Sequence, residues 1–185
     1  MNSLSDRYDR LTRAFHWLTA AVVIFMFASA HVWENLAKGT PLRKGLQSVH
    51  ISLGIAMALL IAARLLWRLF GGKRLKADSH PALNLLAKMA HGCLYLLLLA
   101  QIALGFLYRW AQGEPFNFFG LFSVPAPFGV DHEWRGTLGD LHNDVAWAII
   151  VLAGLHAGAA LWHHCVMRDG TLRRMLPRPR SAWQK

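Results

Sequence analysis

Two histidines, His142 and His156, share one long apolar run near the end of the chain. Fourteen residues separate them, which is roughly 21 Å along a helix, and at about 100° per residue both rings emerge from nearly one face. Two more histidines, His16 and His50, lie near the starts of earlier apolar runs. Ionisable side chains in such surroundings are costly and by default indicate a function. The four histidines are therefore the first candidates for chemistry.

Imidazole in an apolar helix favours a bound metal cofactor. One ring nitrogen can bind a metal while the other donates a hydrogen bond, and haem iron takes such rings as axial ligands. Two rings on facing helices can hold one planar macrocycle between them. Zinc would need three or more ligands clustered tetrahedrally, and the sequence offers no such cluster. A plain interhelical hydrogen bond and a proton relay in a transporter are the alternatives that need no haem.

The elements that must position these histidines are transmembrane helices. Hydrophobic residues make up 55% of the 185-residue chain and charged residues 16%. About 20 apolar residues cross a hydrocarbon core, and four runs reach that length, at about 14–33, 46–70, 83–108 and 138–164. Runs of this length suit helices rather than barrel strands. We predict an all-α fold in one domain, 1–185: an integral membrane four-helix bundle with haem groups between the helices.

The net charge is +10, and the positions of the basic residues predict how the protein is oriented in the membrane. Fifteen of the twenty Lys and Arg residues precede the first run, flank the second connection or lie in the tail. By the positive-inside rule both termini are cytoplasmic, and the first and third connections face outward. The basic residues thus indicate a membrane lipid partner and topology, and no nucleic acid. We expect a multi-pass membrane protein.

This topology sorts the histidines by depth. His50 and His142 lie toward the outward side, whereas His16 and His156 lie toward the cytoplasmic side. His91, in the third run, also lies at the cytoplasmic level. Spacing alone therefore leaves three candidates for the two axial positions of a cytoplasmic-side haem.

Small and charged residues near these levels are secondary candidates. Three glycines would leave room for a flat ring or allow close helix packing: Gly54, Gly154 and Gly158. Three outward cations could steer an anionic donor or be solvated loop charges: Arg43, Lys44 and Arg135. Four cytoplasmic-side cations could pair with haem propionates or anchor the helices at the interface: Arg13, Arg64, Arg68 and Lys88.

Three segments carry further expectations. The first run resembles a signal peptide ending in Ala28-Ser29-Ala30, but its length and His16 favour a retained helix. Residues 113–138 are predicted to form a loop that folds back onto the membrane interface. His163 shares a helix face with His156, so a haem edge or a quinone is a minor candidate partner, against an ordinary interfacial position.

Several segments resemble the bacterial four-helix cytochrome b561 family over essentially the whole chain. They are RLTRAFHWLTA, VHISLGI, AHGCLYLLL, LHNDVAWAIIVLAGLHAGAALWHH and RDGTLRRMLPR. The resemblance implies a diheme membrane protein with two haem b groups, one at each depth. Its axial ligands, carried over by position, are His16, His50, His142 and His156. His91 then becomes a residue near the cytoplasmic-side haem, at a quinone pocket.

The resemblance also implies an activity. Iron with two histidine ligands has no vacant site for O2, which favours one-electron transfer. Members of this family are described as superoxide oxidases, which pass electrons from periplasmic superoxide to ubiquinone. The resemblance also implies a location in the bacterial inner (plasma) membrane. The implied ligand geometry is similar as well to that of membrane cytochrome b subunits of respiratory hydrogenases and formate dehydrogenases. The alternative is therefore a subunit that links the quinone pool to a periplasmic redox protein partner.

Overall fold

Four long helices dominate the computed structural model, which describes residues 7–75, 81–126 and 128–177. Their bounds are α1 Arg10–Glu34, α2 Pro41–Phe70, α3 Pro81–Ala111 and α4 Arg135–Cys165. Within these residues all four are long and apolar enough to cross a membrane. The predicted all-α membrane fold with four helices is confirmed. Four of the basic residues used to orient it lie outside the described residues: Lys76, Arg178, Arg180 and Lys185.

Each helix is slightly longer than its apolar run, because polar or proline residues begin it. The Asp9 carboxylate caps α1 by accepting a hydrogen bond of 2.8 Å from the Thr12 amide. Pro41 begins α2, where its missing N–H has no intrahelical partner to lose, and Gly71 follows its last residue. A single 3-10 turn, His132–Trp134, leads into α4. Hydropathy does not detect such caps, so the predicted bounds were a few residues short.

The bundle has two ends, which we name by their contents. The terminal end holds the start of α1, the end of α2 and the residues after α4. There Trp67 Nε1 donates to Asp9 Oδ1 at 3.1 Å, and the Tyr8 amide donates to the Arg174 carbonyl at 3.2 Å. The opposite, hairpin end holds the α1–α2 and α3–α4 connections. Within the bundle α1 packs mainly on α2, and α3 on α4.

An apolar layer lies in the middle of the bundle. Met57, Ile61, Leu98 and Ile149 are its buried members. Ile149 lies seven residues from both His142 and His156, so this layer separates the two histidine levels. Exposed leucines elsewhere on the helices, such as Leu59 and Leu96, are what a lipid-facing surface requires, since lipid tails are as apolar as leucine.

The α3–α4 connection is more ordered than the loop that we predicted. Strands β1 Phe116–Phe118 and β2 Phe122–Val124 pair as an antiparallel hairpin. Phe119 and Gly120 turn the chain with φ of 47° and 74°. Buried Phe116 stacks on Phe106 of α3 with ring centroids 4.4 Å apart. The hairpin forms because this aromatic side chain has a buried place against the bundle, which hydropathy alone did not indicate.

Residues 166–177, which we call the strap, fold back from α4 across the start of α1. Trp17 Nε1 donates to the Met175 carbonyl at 2.9 Å, and Arg13 Nη1 donates to the Leu176 carbonyl at 2.7 Å. Arg7 Nη1 also donates to the Leu176 carbonyl, at 3.2 Å. The strap therefore ties the first and last helices together at the terminal end.

Candidate functional site

The hairpin end brings together His50 of α2 and His142 of α4. Their ring centroids are 6.4 Å apart, with an angle of 71° between the ring planes. The Nδ1 atom of each ring is buried and has no hydrogen-bond partner among the described residues. An unsatisfied polar atom in hydrocarbon costs several kcal/mol. Two such atoms at one level leave a place for a ligand that binds imidazole.

The terminal end brings together His16 of α1 and His156 of α4. Their ring centroids are 6.3 Å apart. The Trp17 indole stacks on His16, with centroids 5.1 Å apart and an angle of 11° between the planes. His91 of α3 also lies against His156, with centroids 5.1 Å apart. The three histidines that spacing placed at this level are thus all present, and His156 neighbours both of the others.

Both pairs have the separation that two axial ligands of one metal require. A metal–imidazole bond is about 2.0 Å, and the ring centre lies about 1 Å beyond the nitrogen, so two rings on opposite sides of a metal have centres about 6 Å apart. The separations of 6.4 Å and 6.3 Å agree with this value. The His91–His156 separation of 5.1 Å is shorter. The residues therefore fit bis-histidine cofactors in the pairs His50 with His142 and His16 with His156.

One glycine lies against a candidate ligand, and the sequence analysis missed it. A Cβ at Gly105 of α3 would lie 3.1 Å from His142 Cε1. One turn away, Gln101 Nε2 lies 3.1 Å from His142 Nε2. Gln101 is a polar amide within the apolar sequence of α3, and it could have indicated that this face of α3 lies against a polar group.

The three glycines that the sequence analysis named have fewer close neighbours than Gly105. A Cβ at Gly54 would meet Met26 Cε at 3.9 Å, an ordinary contact. Gly154 and Gly158 are exposed, and apart from their own helix backbone no described atom lies within 4 Å of such a Cβ. Each is two residues from His156 and so lies on nearly the opposite face of α4, which means that they do not line the space beside its ring.

Cations and a tyrosine surround the terminal-end histidines. The guanidinium carbons of Arg64 and Arg68 lie 5.2 Å and 5.9 Å from the centre of the Tyr95 ring. Arg64 interacts electrostatically with both His16 and His156. Tyr95 was not predicted from sequence, because an aromatic residue in an apolar helix carries no distinguishing signal.

The remaining predicted propionate partners differ from Arg64. Arg13 hydrogen-bonds the strap, and Lys88 is exposed. Arg64 acts electrostatically on all three terminal-end histidines, and Arg68 acts on His91 as well. The Arg68 guanidinium also lies over the Tyr95 ring, but the Arg68 side chain is exposed.

The three basic residues predicted to steer an anion at the hairpin end differ in their contacts. Arg43 Nη1 donates to the carbonyls of Trp33 at 2.8 Å and Leu36 at 2.7 Å. The Trp33 carbonyl also accepts from the Leu36 amide, so Arg43 adds a second donor there and ties the start of α2 to the end of α1. Lys44 and Arg135 are exposed. Of the three predicted steering residues, those two present their charges to solvent.

His163 is held by the strap. Its Nδ1 lies 2.5 Å from Asp169 Oδ2. Burial raises the pKa of Asp169, but hydrogen bonds from His163 and Thr171 outweigh that effect and lower it to about 2. The contact that the sequence assigned to His163 as a minor candidate, a haem edge or quinone, stays a prediction.

Among residues 7–75, 81–126 and 128–177, no three His, Cys, Asp or Glu side chains cluster in a way that could hold a metal ion by themselves. The histidines instead meet as facing pairs at two levels of a membrane bundle. This combination defines the class of the molecule: a membrane protein suited to hold planar metal cofactors between its helices.

Comparison with known proteins gives the family. Residues 7–178 match the family model of prokaryotic cytochrome b561. Cytochrome b561 homolog 2 of Escherichia coli (strain K12) is 35% identical over 179 residues, which cover 96% of this chain and 95% of that one. The probable superoxide oxidase CybB of Yersinia pestis is 30% identical over 179 residues, 96% of this chain and 100% of its own. Cytochrome b562 of Cereibacter sphaeroides is 28% identical, over 94% and 96% of the two chains.

The chain belongs to the prokaryotic cytochrome b561 family. It is a multi-pass inner-membrane cytochrome of a family that carries haem b and transfers electrons in the membrane. Quinones and redox proteins are the partners that such cytochromes use. The relatives' names differ in one respect, because one is called a probable superoxide oxidase and the others are called cytochromes.

Proposed function

We propose that the whole chain forms one domain that holds two haem b groups and passes electrons from periplasmic superoxide to ubiquinone. His50 and His142 would hold one group, and His16 and His156 the other. The observation that carries this proposal is the pair of matching ring separations, 6.4 Å and 6.3 Å, at opposite ends of the bundle. Because α4 supplies one ring to each pair, the two levels are roughly 21 Å apart along it.

The protein's contribution is to hold, enclose and separate these sites. Haem b, when bound, supplies reversible one-electron transfer. With two histidines as its ligands at each site, the iron would keep no open coordination site for O2 or peroxide. The layer of Met57, Ile61, Leu98 and Ile149 keeps water from the space between the levels. This arrangement favours electron transfer over oxygen activation.

The orientation that we propose puts both termini in the cytoplasm. The terminal end carries most of the Lys and Arg residues, which is the positive-inside pattern. The hairpin end would then face the periplasm, where superoxide is the proposed donor. Exposed Lys44 and Arg135 at that end would raise the local concentration of an anion.

The proposed acceptor side is the terminal end, beside His91. This ring lies against His156 but at a separation shorter than that of the two pairs, and it is exposed at the bundle surface. A quinone in the bilayer could therefore reach it. Each superoxide supplies one electron, so two of them reduce one ubiquinone, which also takes up two protons. His91 would donate a hydrogen bond to a quinone carbonyl.

An assay of ubiquinone reduction by the protein in liposomes tests the activity. Purified protein loaded with haem and embedded in liposomes that contain ubiquinone should form ubiquinol when superoxide is generated outside. Added superoxide dismutase should abolish the reaction, whereas catalase should not. Superoxide would be ruled out as the donor by either of two results. One is haem that is not reduced by superoxide, and the other is a rate of ubiquinol formation that superoxide dismutase does not change.

A cytochrome that serves a redox protein is the second candidate. The observation that favours it is a set of exposed apolar residues around the hairpin: Phe119, Leu121, Phe122 and Phe128. Such a patch suits a protein partner or the membrane interface. Ubiquinol that reduces the haem, combined with no response to superoxide, would select this candidate.

A further inference from the structure

A pocket of about 250 Å³ lies at the terminal end, between the first turns of α1 and the strap. Two guanidinium groups, one helical turn apart, face it beside small and apolar side chains. Its lining consists of Arg10, Arg13, Ala14, Trp17, Met175 and Pro177. The pocket is separate from both histidine pairs, although Trp17 connects it to His16 by ring stacking.

Arg13 has hydrogen-bonding capacity that the protein does not use. Its Nη1 donates to the Leu176 carbonyl at 2.7 Å. Its Nε is buried and has no partner among the described residues. A buried cationic N–H without an acceptor is strongly unfavourable. The Nε atom itself is not accessible from the pocket, so Arg13 contributes its positive charge and the rest of its guanidinium to the pocket lining.

The nearby carboxylates are engaged elsewhere. Asp9 accepts hydrogen bonds from the Thr12 amide and hydroxyl, from Trp67 Nε1 and from the Lys73 amide. Asp169 accepts from His163 and the Thr171 amide. In the part of the chain that the structure describes, no carboxylate lines the pocket. Among the described residues, the positive charge of Arg10 and Arg13 therefore has no carboxylate partner in the pocket.

We propose that this pocket binds the phosphate headgroup of an anionic phospholipid. Arg10 and Arg13 would contact the phosphate, because a guanidinium presents several N–H donors that match phosphate oxygens. Ala14 and Trp17 are exposed, so the acyl chains would run along them into the bilayer. Basic pockets at the cytoplasmic ends of membrane helices suit such headgroups. A neutral quinone would leave the charge of both guanidiniums uncompensated.

The test measures lipid-dependent thermal stability of the purified full chain in neutral detergent, which needs no electron transfer. Added phosphatidylglycerol should raise the unfolding temperature in a saturable way, because a ligand that binds the folded state stabilises it. Phosphatidylcholine should do so far less. Inorganic phosphate is the third probe, since it offers the same oxygens without acyl chains. Equal stabilisation by phosphate would overturn the assignment to a lipid.

Variants locate the site. Arg10→Gln should weaken phosphatidylglycerol binding about fivefold, which corresponds to one cation near the membrane surface. Arg13→Lys keeps the charge but loses the planar guanidinium with its several donors, and should also weaken binding. Arg173→Gln is the matched control, because Arg173 is exposed and does not line the pocket.

Two results would overturn the proposal. One is an equal loss of affinity in Arg173→Gln, which would indicate general charge attraction. The other is displacement of phosphatidylglycerol by a short-chain ubiquinone, which would make the pocket a quinone site. Neither result bears on whether superoxide is the donor, so failure here is distinct from failure of the proposed function.

Discussion

The two ends of the bundle hold histidine pairs of nearly equal separation in different surroundings. At the hairpin end, His50 and His142 have neutral neighbours: Trp33, whose ring centroid is 4.9 Å from that of His50, and Gln101, which contacts His142. At the terminal end, Arg64 interacts electrostatically with His16 and His156, and His91 adds a third imidazole. Similar ring separations are thus combined with neutral surroundings at the hairpin end and positively charged surroundings at the terminal end.

This difference suggests how one fold could direct electrons. Nearby positive charge stabilises the reduced form of a cofactor, so a haem at the terminal end should have the higher potential. Electrons would then move from the hairpin end toward the terminal end. The hairpin pair would receive electrons and the terminal pair would deliver them.

The largest effects should come from the ligands themselves. His50→Ala and His142→Ala should each remove the hairpin-end haem, whereas His16→Ala and His156→Ala should each remove the terminal-end haem. The reason is that each pair belongs to one level. Haem content and low-spin electron paramagnetic resonance signals measure this. Any other grouping of the four variants would show that the pairing is wrong.

His91→Ala tests whether the third imidazole at the terminal end is a haem ligand. We expect both haems and their low-spin spectra to remain, while electron transfer from reduced haem to added ubiquinone slows by about tenfold, a loss of about 1.4 kcal/mol such as one hydrogen bond supplies. Stopped-flow oxidation of the haem measures the rate. His31→Ala is the control, since His31 packs on Phe27 and Trp147. Loss of one haem in His91→Ala would make His91 a ligand.

Gly105→Ala should disturb the hairpin end alone. The added Cβ would lie 3.1 Å from His142 Cε1, so the ring must shift by a few tenths of an ångström. We expect a changed signal from the hairpin-end haem and an unchanged one from the other. Gly92→Ala, on the same helix, is the control because no described atom lies within 4 Å of its Cβ. Identical spectra for the two variants would argue against His142 as a ligand.

Asp9→Ala should have the smallest effect, on stability at the terminal end. Loss of a helix cap costs about 1 kcal/mol, which lowers the unfolding temperature by about 2–4 °C. Scanning calorimetry near neutral pH measures it, with exposed Glu133→Ala as the control. A difference of less than about 1 °C between the two variants would contradict the capping role.

The pH dependence of that effect follows from the Asp9 pKa. Burial raises this pKa, but hydrogen bonds from Thr12, Lys73 and Trp67 outweigh it and lower the value from 3.8 to about 2. A lowered pKa means that the stabilisation is present above the unfolded value and is lost as the pH falls through the folded value. The difference between wild type and Asp9→Ala should therefore shrink between pH 3.8 and about 2.

The sequence predicted the helices and the histidine levels because both depend on long, regular patterns. Runs of apolar residues identify membrane helices, and the fourteen-residue spacing of His142 and His156 determines both depth and face. The contact of Gly105 with His142 was not predictable, because it depends on how α3 packs on α4. The hairpin was also missed, since it depends on one buried contact, between Phe116 and Phe106. The three histidines at the terminal level could not be ranked by spacing; their ring separations distinguish them.

The number of haem groups per chain shows whether both histidine pairs bind haem. Protein saturated with haem during purification should contain two haem b per chain by the pyridine haemochrome assay, with protein quantified by amino-acid analysis. Two are expected because two pairs of imidazoles, at opposite ends of the bundle, each have the separation that one haem requires. A value of one haem per chain in saturated protein would contradict this expectation.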